Sequence, residues 1–418
     1  MVAEPGSGEQ APVVGDRRAL AEQLAWSLSA KLLAALLQIV VLVLLARSLA
    51  PERFGVVSTV IVVMTLVATT NGFGLMRQMN YHRARDRNHP DLPGMFAARL
   101  GFTWLSVALW LLGTLGGWLV TGSPWCAVLA PLAVWLLFEQ TTTVWNGLST
   151  ADGNCRALFF SYLWRRGPVV ALMLGALATE RSVLWAWSLG LGLGGALSWL
   201  AGRSGQETWA RGLLLRRADL PTSIDWELGF WWGQVGSQLR DLDVAAVAAV
   251  SAHAGGIFAF PARLINPMNM ITQSAGQVLF PRVARRGGLT RRELVLVVAA
   301  GTVPVLLVAV ATFLAAPWLP QLLGDGYADS VGVLRITSVT AVFVGITILV
   351  AVLLTAQSSE EARWIGYAAA IGSVAQVGAA ALGTLLGGAV GAATAVLVTV
   401  VAATLLMCHR AWTRARRA

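Results

Sequence analysis

Long runs of apolar residues restrict what this chain can fold into. Residues 32–46, 105–120, 294–316 and 339–356 contain no acidic residue and are each long enough, or nearly so, to cross ~30 Å of hydrocarbon as a helix. Of the 418 residues, 56% are hydrophobic and 12% are charged, whereas soluble domains carry ~25% charged residues. The chain lacks the charge to cover a water-facing surface, and the repeated runs predict a bundle of membrane-spanning helices.

The apolar runs and their boundaries predict about twelve transmembrane helices and no strands, so the expected fold class is an all-α polytopic membrane protein. The fifth helix is interrupted by Arg165, Arg166 and Pro168. The predicted helices are 23–47, 54–76, 94–120, 125–150, 158–179, 182–202, 226–250, 254–281, 293–316, 328–355, 361–385 and 388–409.

The chain divides at its midpoint. A polar tail, 1–20, lacks the apolar core of a signal peptide and precedes a first lobe of six helices, 21–202. A polar linker, 203–225, joins it to a second six-helix lobe, 226–409, and a basic tail, 410–418. The two lobes begin with weakly similar sequence segments. This similarity predicts that the lobes are parallel structural repeats around a central cavity.

The net charge of +10 does not indicate a nucleic-acid partner, because the arginines sit in short segments between apolar runs. Alternate connections are arginine-rich, and the positive-inside rule places both termini in the cytoplasm. The opposite connections are only a few residues long, as in 121–124, 251–253 and 324–327. They leave no room for an extracytoplasmic domain.

Polar residues inside the predicted spans are the strongest functional signal, since a charge in the bilayer centre costs ~2.5–3.5 kcal/mol. Four helices each carry a polar stripe, and together the stripes predict a water-filled cavity that is cationic on balance. The stripes are Gln23, Ser27, Lys31 and Gln38; Glu139, Thr142, Thr143, Asn146 and Ser149; Gln234, Ser237, Gln238, Arg240, Asp241 and Asp243; and Arg263, Asn266, Gln273 and Gln277.

Simpler explanations exist for single members of these stripes. Lys31 could extend its ammonium group to the headgroups, and Arg240 and Asp243 could form an ion pair that only lowers the cost of inserting their own helix. Glu139 has no such local partner. The three cysteines lack CxxC spacing and the four histidines lie in loops or near helix ends, so neither a disulfide framework nor a metal or cofactor is expected.

Two segments resemble a known family. The run LARSLAPERFG at 45–55 is similar to the opening of bacterial oligosaccharide flippases, and the run QVLFPR at 277–282 is similar to a later segment of them. These flippases are the polysaccharide transporters of the multidrug/oligosaccharidyl-lipid/polysaccharide exporter superfamily. The resemblance implies two six-helix lobes in a bacterial plasma membrane, alternating access, and a basic cavity for a polyprenyl-diphosphate-linked oligosaccharide.

The resemblance also assigns expected roles. The partners it implies are the lipid-linked oligosaccharide, membrane lipids and a polysaccharide polymerase or other assembly protein. The residues expected to contact substrate are Lys31, Asn146, Arg240, Arg263 and Gln273, and those expected to couple transport to an ion are Glu139, Asp241 and Asp243.

Two other functions stay open at this point. A multidrug or metabolite antiporter of the same superfamily would need an acidic cavity for cationic substrates. A membrane glycosyltransferase or ligase would need catalytic groups at the surface, where the short outer connections offer only Asp325 and Asp329 as an acidic pair.

Overall fold

The computed structural model describes residues 17–206 and 231–415, apart from short gaps within 71–88, at 153, within 232–237 and within 265–288. The described residues form helices and no strand, which confirms the predicted all-α class. Most of the tail 1–20, most of the linker 203–225 and the run 277–282 lie outside the described residues, as does Gln273.

Seven helices are defined among the described residues of the first half. The predicted fourth helix is divided at Ala130 and Pro131 into a short and a long segment. The helices are α1 Arg17–Ser48, α2 Pro51–Thr70, α3 Leu92–Thr121, α4 Pro124–Leu129, α5 Leu132–Ala151, α6 Cys155–Ala178 and α7 Val183–Ser204.

In the second half, a single turn of 3₁₀-helix, Arg240–Leu242, leads into α8. Residues 252–264 are helical and are called α9. The helices with defined bounds are α8 Asp243–Val250, α10 Arg291–Ala315, α11 Leu319–Leu323, α12 Ser330–Thr355 and α13 Ser359–Arg414.

Helix α13 is two helices joined by a sharp break. Gly387 and Gly388 have non-helical backbone angles, and Gly388 has a φ of 60°, which glycine adopts without a steric cost. Beside the break, Gly383 and Gly391 lie so close that a Cβ atom on either would meet the other's backbone. The break agrees with the predicted separation of 361–385 from 388–409.

Eight segments of the described chain are long and apolar enough to span a membrane. Large apolar side chains cover their outer surfaces: Leu119 is 69% exposed and Leu386 is 80% exposed. Exposure to water would cost ~25 cal/mol per Å² of apolar surface, whereas lipid solvates the same surface without that cost. The chain is a multi-pass membrane protein.

Each half packs mainly on itself. In the first half α7 packs against α5 and α6, and α1 lies along α6; in the second half α12 packs against α10 and α13. Glycines of α7 allow close approach, since a Cβ atom at Gly194 would lie 2.5 Å from the carbonyl oxygen of Arg165. The glycines at 190–195 therefore serve close helix packing.

Helix α2 joins the two halves along its length. The Oε1 atom of Glu52 lies 2.8 Å from Nδ1 of His253. Further along α2, its backbone carbonyls accept hydrogen bonds from the second half. Arg263 Nη2 donates to the carbonyl oxygen of Ser58 at 3.0 Å, and Trp231 Nε1 donates to that of Thr70 at 2.9 Å.

Candidate functional site: a polar cavity and a buried ion pair

A cavity of about 70 Å³ lies in the second half, between α8, α9, α12 and α13. A water molecule needs ~10–15 Å³ of such volume, so the cavity has room for a few waters or a small ion and is too small for a sugar. Its polar lining residues are Arg240, Asp241, Asp243, Arg263, Asn269, Thr337, Thr340 and Gln376.

Asp243 is the buried carboxylate of this cavity, at 7% exposure. It begins α8 directly after the 3₁₀ turn, where the backbone geometry changes. Its Oδ1 accepts the backbone N–H of Val244 at 2.6 Å, and its Oδ2 accepts from Nε2 of Gln376 at 2.9 Å. Both bonds come from neutral donors, so the negative charge is stabilised by hydrogen bonds but is not neutralised by them.

Neutral oxygen atoms line the same cavity as this carboxylate. Thr337 and Thr340 donate their hydroxyl protons to carbonyls of their own helix, which leaves their oxygen lone pairs available. The side-chain oxygen of Asn269 is buried and has no hydrogen-bond partner among the described residues. These oxygen atoms, together with the carboxylate, are ligands that suit a hard cation or a proton-binding water.

Arg263 connects this cavity to the other half of the protein. It lines the cavity beside Asp241 and Asp243, and it also donates to the backbone of Ser58 on α2. Its Nε has no hydrogen-bond partner within the described part of the chain. Any change of charge at the carboxylates therefore acts on a residue that holds the two halves together.

A second buried charged group lies in the first half. Glu139, near the middle of α5, forms an ion pair with Arg165 of α6 and is 8% exposed. Its Oε2 has no hydrogen-bond partner among the described residues. The sequence shows no local partner for Glu139, and the structure supplies one from the next long helix.

The two remaining expected site residues of the first half lie apart from the second-half cavity. Asn146 is 8% exposed on α5, near Gly202 of α7. Lys31 is half-buried on α1 and lies near Cys155 at the start of α6. The structure thus brings Arg240, Asp241, Asp243 and Arg263 together in one cavity and places Lys31, Glu139 and Asn146 elsewhere.

Sequence reasoning missed two contributors. Gln376 is a single amide in a run of small and apolar residues, and its only signal is its position inside a span. Arg165 was interpreted as an interruption of the fifth helix, although an arginine in the middle of a span is itself a signal for a buried acidic partner.

Comparison with known proteins places these features in a family context. Residues 20–135 match the family model described as polysaccharide biosynthesis protein. A multidrug-resistance MATE transporter of the MOP superfamily in an inward-facing conformation superposes with a TM-score of 0.67 at 14% identity, over 93% of this chain and 98% of that one. The chain shares the fold of this transporter.

Two further solved structures share this fold. The outward-facing conformation of a MATE transporter gives a TM-score of 0.67 at 15% identity, covering 96% of each chain. The lipid II flippase MurJ, in an inward closed conformation, gives 0.64 at 12% identity, over 92% of this chain and 87% of that one. Curated proteins show no significant sequence match. The family resemblance seen in the sequence is confirmed.

Proposed function

We propose that this protein moves a polyprenyl-diphosphate-linked oligosaccharide from the cytoplasmic to the outer leaflet of a bacterial plasma membrane, for the synthesis of a surface polysaccharide. The observation that carries the proposal is the excess of positive charge inside the spans. Among the described residues, the cations inside the predicted spans include Arg99, Arg165, Arg166, Arg240 and Arg263, against the carboxylates Glu139, Asp241 and Asp243.

In such a transporter the excess positive charge would replace the water that surrounds the diphosphate of the substrate. Burying an unpaired polar group in hydrocarbon costs several kcal/mol, and a diphosphate with its sugars carries many such groups. Arginines replace lost water by charge-assisted hydrogen bonds to phosphate oxygens. We propose Lys31, Arg240, Arg263, Asn146 and Gln273 as substrate contacts, with the prenyl chain remaining in lipid.

We further propose that the halves 21–202 and 226–409 rock against each other, with both termini in the cytoplasm, and that an ion drives the cycle. Asp243 is the best supported coupling residue, because it is a buried carboxylate in a cavity of ionic size with neutral donors. Asp241 lines the same cavity. Glu139 is a weaker candidate because Arg165 already balances its charge.

A multidrug antiporter is the alternative that the MATE structures favour. Its substrates are expected to be cationic and would be repelled by the arginines named above. The two functions make opposite predictions for substrate charge, so competition with an anionic lipid or with a cationic dye separates them.

The decisive experiment uses a deletion strain in which prenyl-linked oligosaccharides are isolated and assigned to a membrane face. We expect a complete lipid-linked repeat unit to accumulate on the cytoplasmic face while the surface polymer is lost. If the unit still reaches the outer face but stays unpolymerised or unligated, the protein is not the flippase and acts as an enzyme or as a partner of a polymerase.

A further inference from the structure

Helix α6, which the sequence predicts to span the membrane, carries two adjacent arginines near its middle. Arg165 is the eleventh residue of α6, and at 1.5 Å per residue it lies ~15 Å from the start of the helix. This is half of the ~30 Å hydrocarbon core. Two neighbouring cations at this depth are costly and point to a function.

Only the first of these arginines is balanced by a carboxylate. Arg165 forms the ion pair with Glu139 of α5. Arg166, on the next residue, makes no ion pair and no hydrogen bond within the described chain, and its electrostatic neighbours are Tyr162, one turn earlier, and Arg165 itself. Together, Glu139, Arg165 and Arg166 therefore carry a net positive charge, and that charge is located at Arg166.

Arg166 lies on the side of α6 that faces the interior. Trp164 is 46% exposed and marks the lipid-facing side, and two residues on a helix are ~200° apart. Phe159, two turns before Arg166 on the same face, packs its ring 5.5 Å from that of Trp26 on α1. Arg166 thus faces α1, which lies along α6, and it keeps part of its surface exposed.

We propose that Arg166 is an anion-binding residue that takes a phosphate group of the carried molecule, and that the Glu139–Arg165 pair sets the charge around it. This inference rests on the proposed function and adds a subsite in the first half of the protein. Arg166 is the ligand in this arrangement, whereas Glu139 and Arg165 are positioning residues.

The test measures binding of geranyl diphosphate to the purified full-length chain in lipid nanodiscs. We expect Arg166→Gln to weaken binding about ten- to a hundredfold, the range of a charge-assisted hydrogen bond, and Arg166→Lys to weaken it less. The matched control is Arg181→Gln, at an exposed arginine between α6 and α7, which should bind like wild type. Wild-type affinity in Arg166→Gln would overturn the proposal.

Variants of the Glu139–Arg165 ion pair give a second test, because the affinity for geranyl diphosphate should rise or fall with the charge near Arg166. Glu139→Gln removes a negative charge and should tighten binding of geranyl diphosphate, while Arg165→Gln leaves Glu139 unbalanced and should weaken it. The double variant Glu139→Gln/Arg165→Gln keeps the net charge and should return close to wild type. If the double variant binds far more weakly than wild type while Arg166→Gln keeps wild-type affinity, then Arg165 and not Arg166 holds the anion, and the proposal is wrong.

These results also separate this inference from the proposed function. Wild-type protein that does not bind geranyl diphosphate at all would contradict the anionic lipid-linked substrate. Wild-type protein that binds it, with Arg166→Gln unaffected, would leave the substrate class intact and remove only this subsite.

Discussion

At the scale of single residues, the most informative position is Asp243. A buried carboxylate is normally paired with a cation or fully hydrogen-bonded. Asp243 instead accepts one bond from a side-chain amide and one from a backbone N–H, and its nearest cations, Arg240 and Arg263, line the same cavity without forming an ion pair with it among the described contacts. That arrangement leaves the carboxylate able to gain or lose a small cation or a proton.

We expect Asp243→Asn to abolish the response of transport to an ion gradient, because asparagine keeps the shape of the side chain but cannot carry the charge. Initial rates of lipid-linked oligosaccharide translocation in proteoliposomes should fall at least tenfold under a sodium or proton gradient. Asp329→Asn, at an exposed carboxylate before α12, is the control. An unchanged gradient response in Asp243→Asn would place coupling elsewhere.

The sequence identifies the charged residues inside spans but not their partners. Asp243 and Arg263 are conspicuous because each charge interrupts an apolar span. The bond between Gln376 and Asp243 crosses 133 positions, and the helical period gives the face of a residue but not the helix that meets it. Glu139 and Arg165 were each visible in the sequence, and only the packing of α5 beside α6 pairs them.

At the scale of secondary structure, composition predicted the helices well and their interruptions poorly. Helices α3 and α12 begin and end within two residues of the predicted bounds, because connections with Gly, Pro and charge delimit apolar runs. The 3₁₀ turn at Arg240–Leu242 had no signal, since neither glycine nor proline occurs there. Two of its residues, Arg240 and Asp241, line the cavity.

Helix α2 makes the close contacts that hold the two halves of the protein together at the end where α2 begins. Gly55 and Gly256 allow it to approach α9 so closely that a Cβ atom on Gly256 would clash with the carbonyl of Pro51. Phe54, Phe260 and Tyr327 pack together beside this contact, with ring centroids 6.1–6.4 Å apart. The protein is closed at this end.

We expect Gly256→Ala to hold this end open, because the added methyl group occupies the space of the Pro51 carbonyl. A cysteine at Ser58, which is 1% exposed, reports opening through its labelling by a water-soluble maleimide, in a background without Cys126, Cys155 and Cys408. Labelling should become at least several-fold faster. Gly101→Ala is the control, since no atom lies within 4 Å of its Cβ position; equal labelling in both variants would contradict the steric role of Gly256.

At the scale of the whole molecule, the two halves meet through α2 and the short connections at one end of the bundle. Glu52 and His253 are about half exposed, so their interaction contributes only ~0–1 kcal/mol. The glycine contact and the aromatic cluster therefore supply most of the closure. A closure of this kind can open during a transport cycle, because few strong bonds need to break.

If transport requires the halves to separate at this end, then a covalent bridge across it must stop transport. Glu52→Cys and His253→Cys place thiols on opposite halves at positions whose side chains now touch, and the three native cysteines can be replaced first. We expect a short, cleavable bifunctional thiol reagent to abolish translocation in the double variant and reduction to restore it, while each single variant stays active. Full transport in the bridged protein would show that the halves do not move apart there, and a rocking mechanism would then have to be abandoned in favour of a pathway that leaves this contact closed.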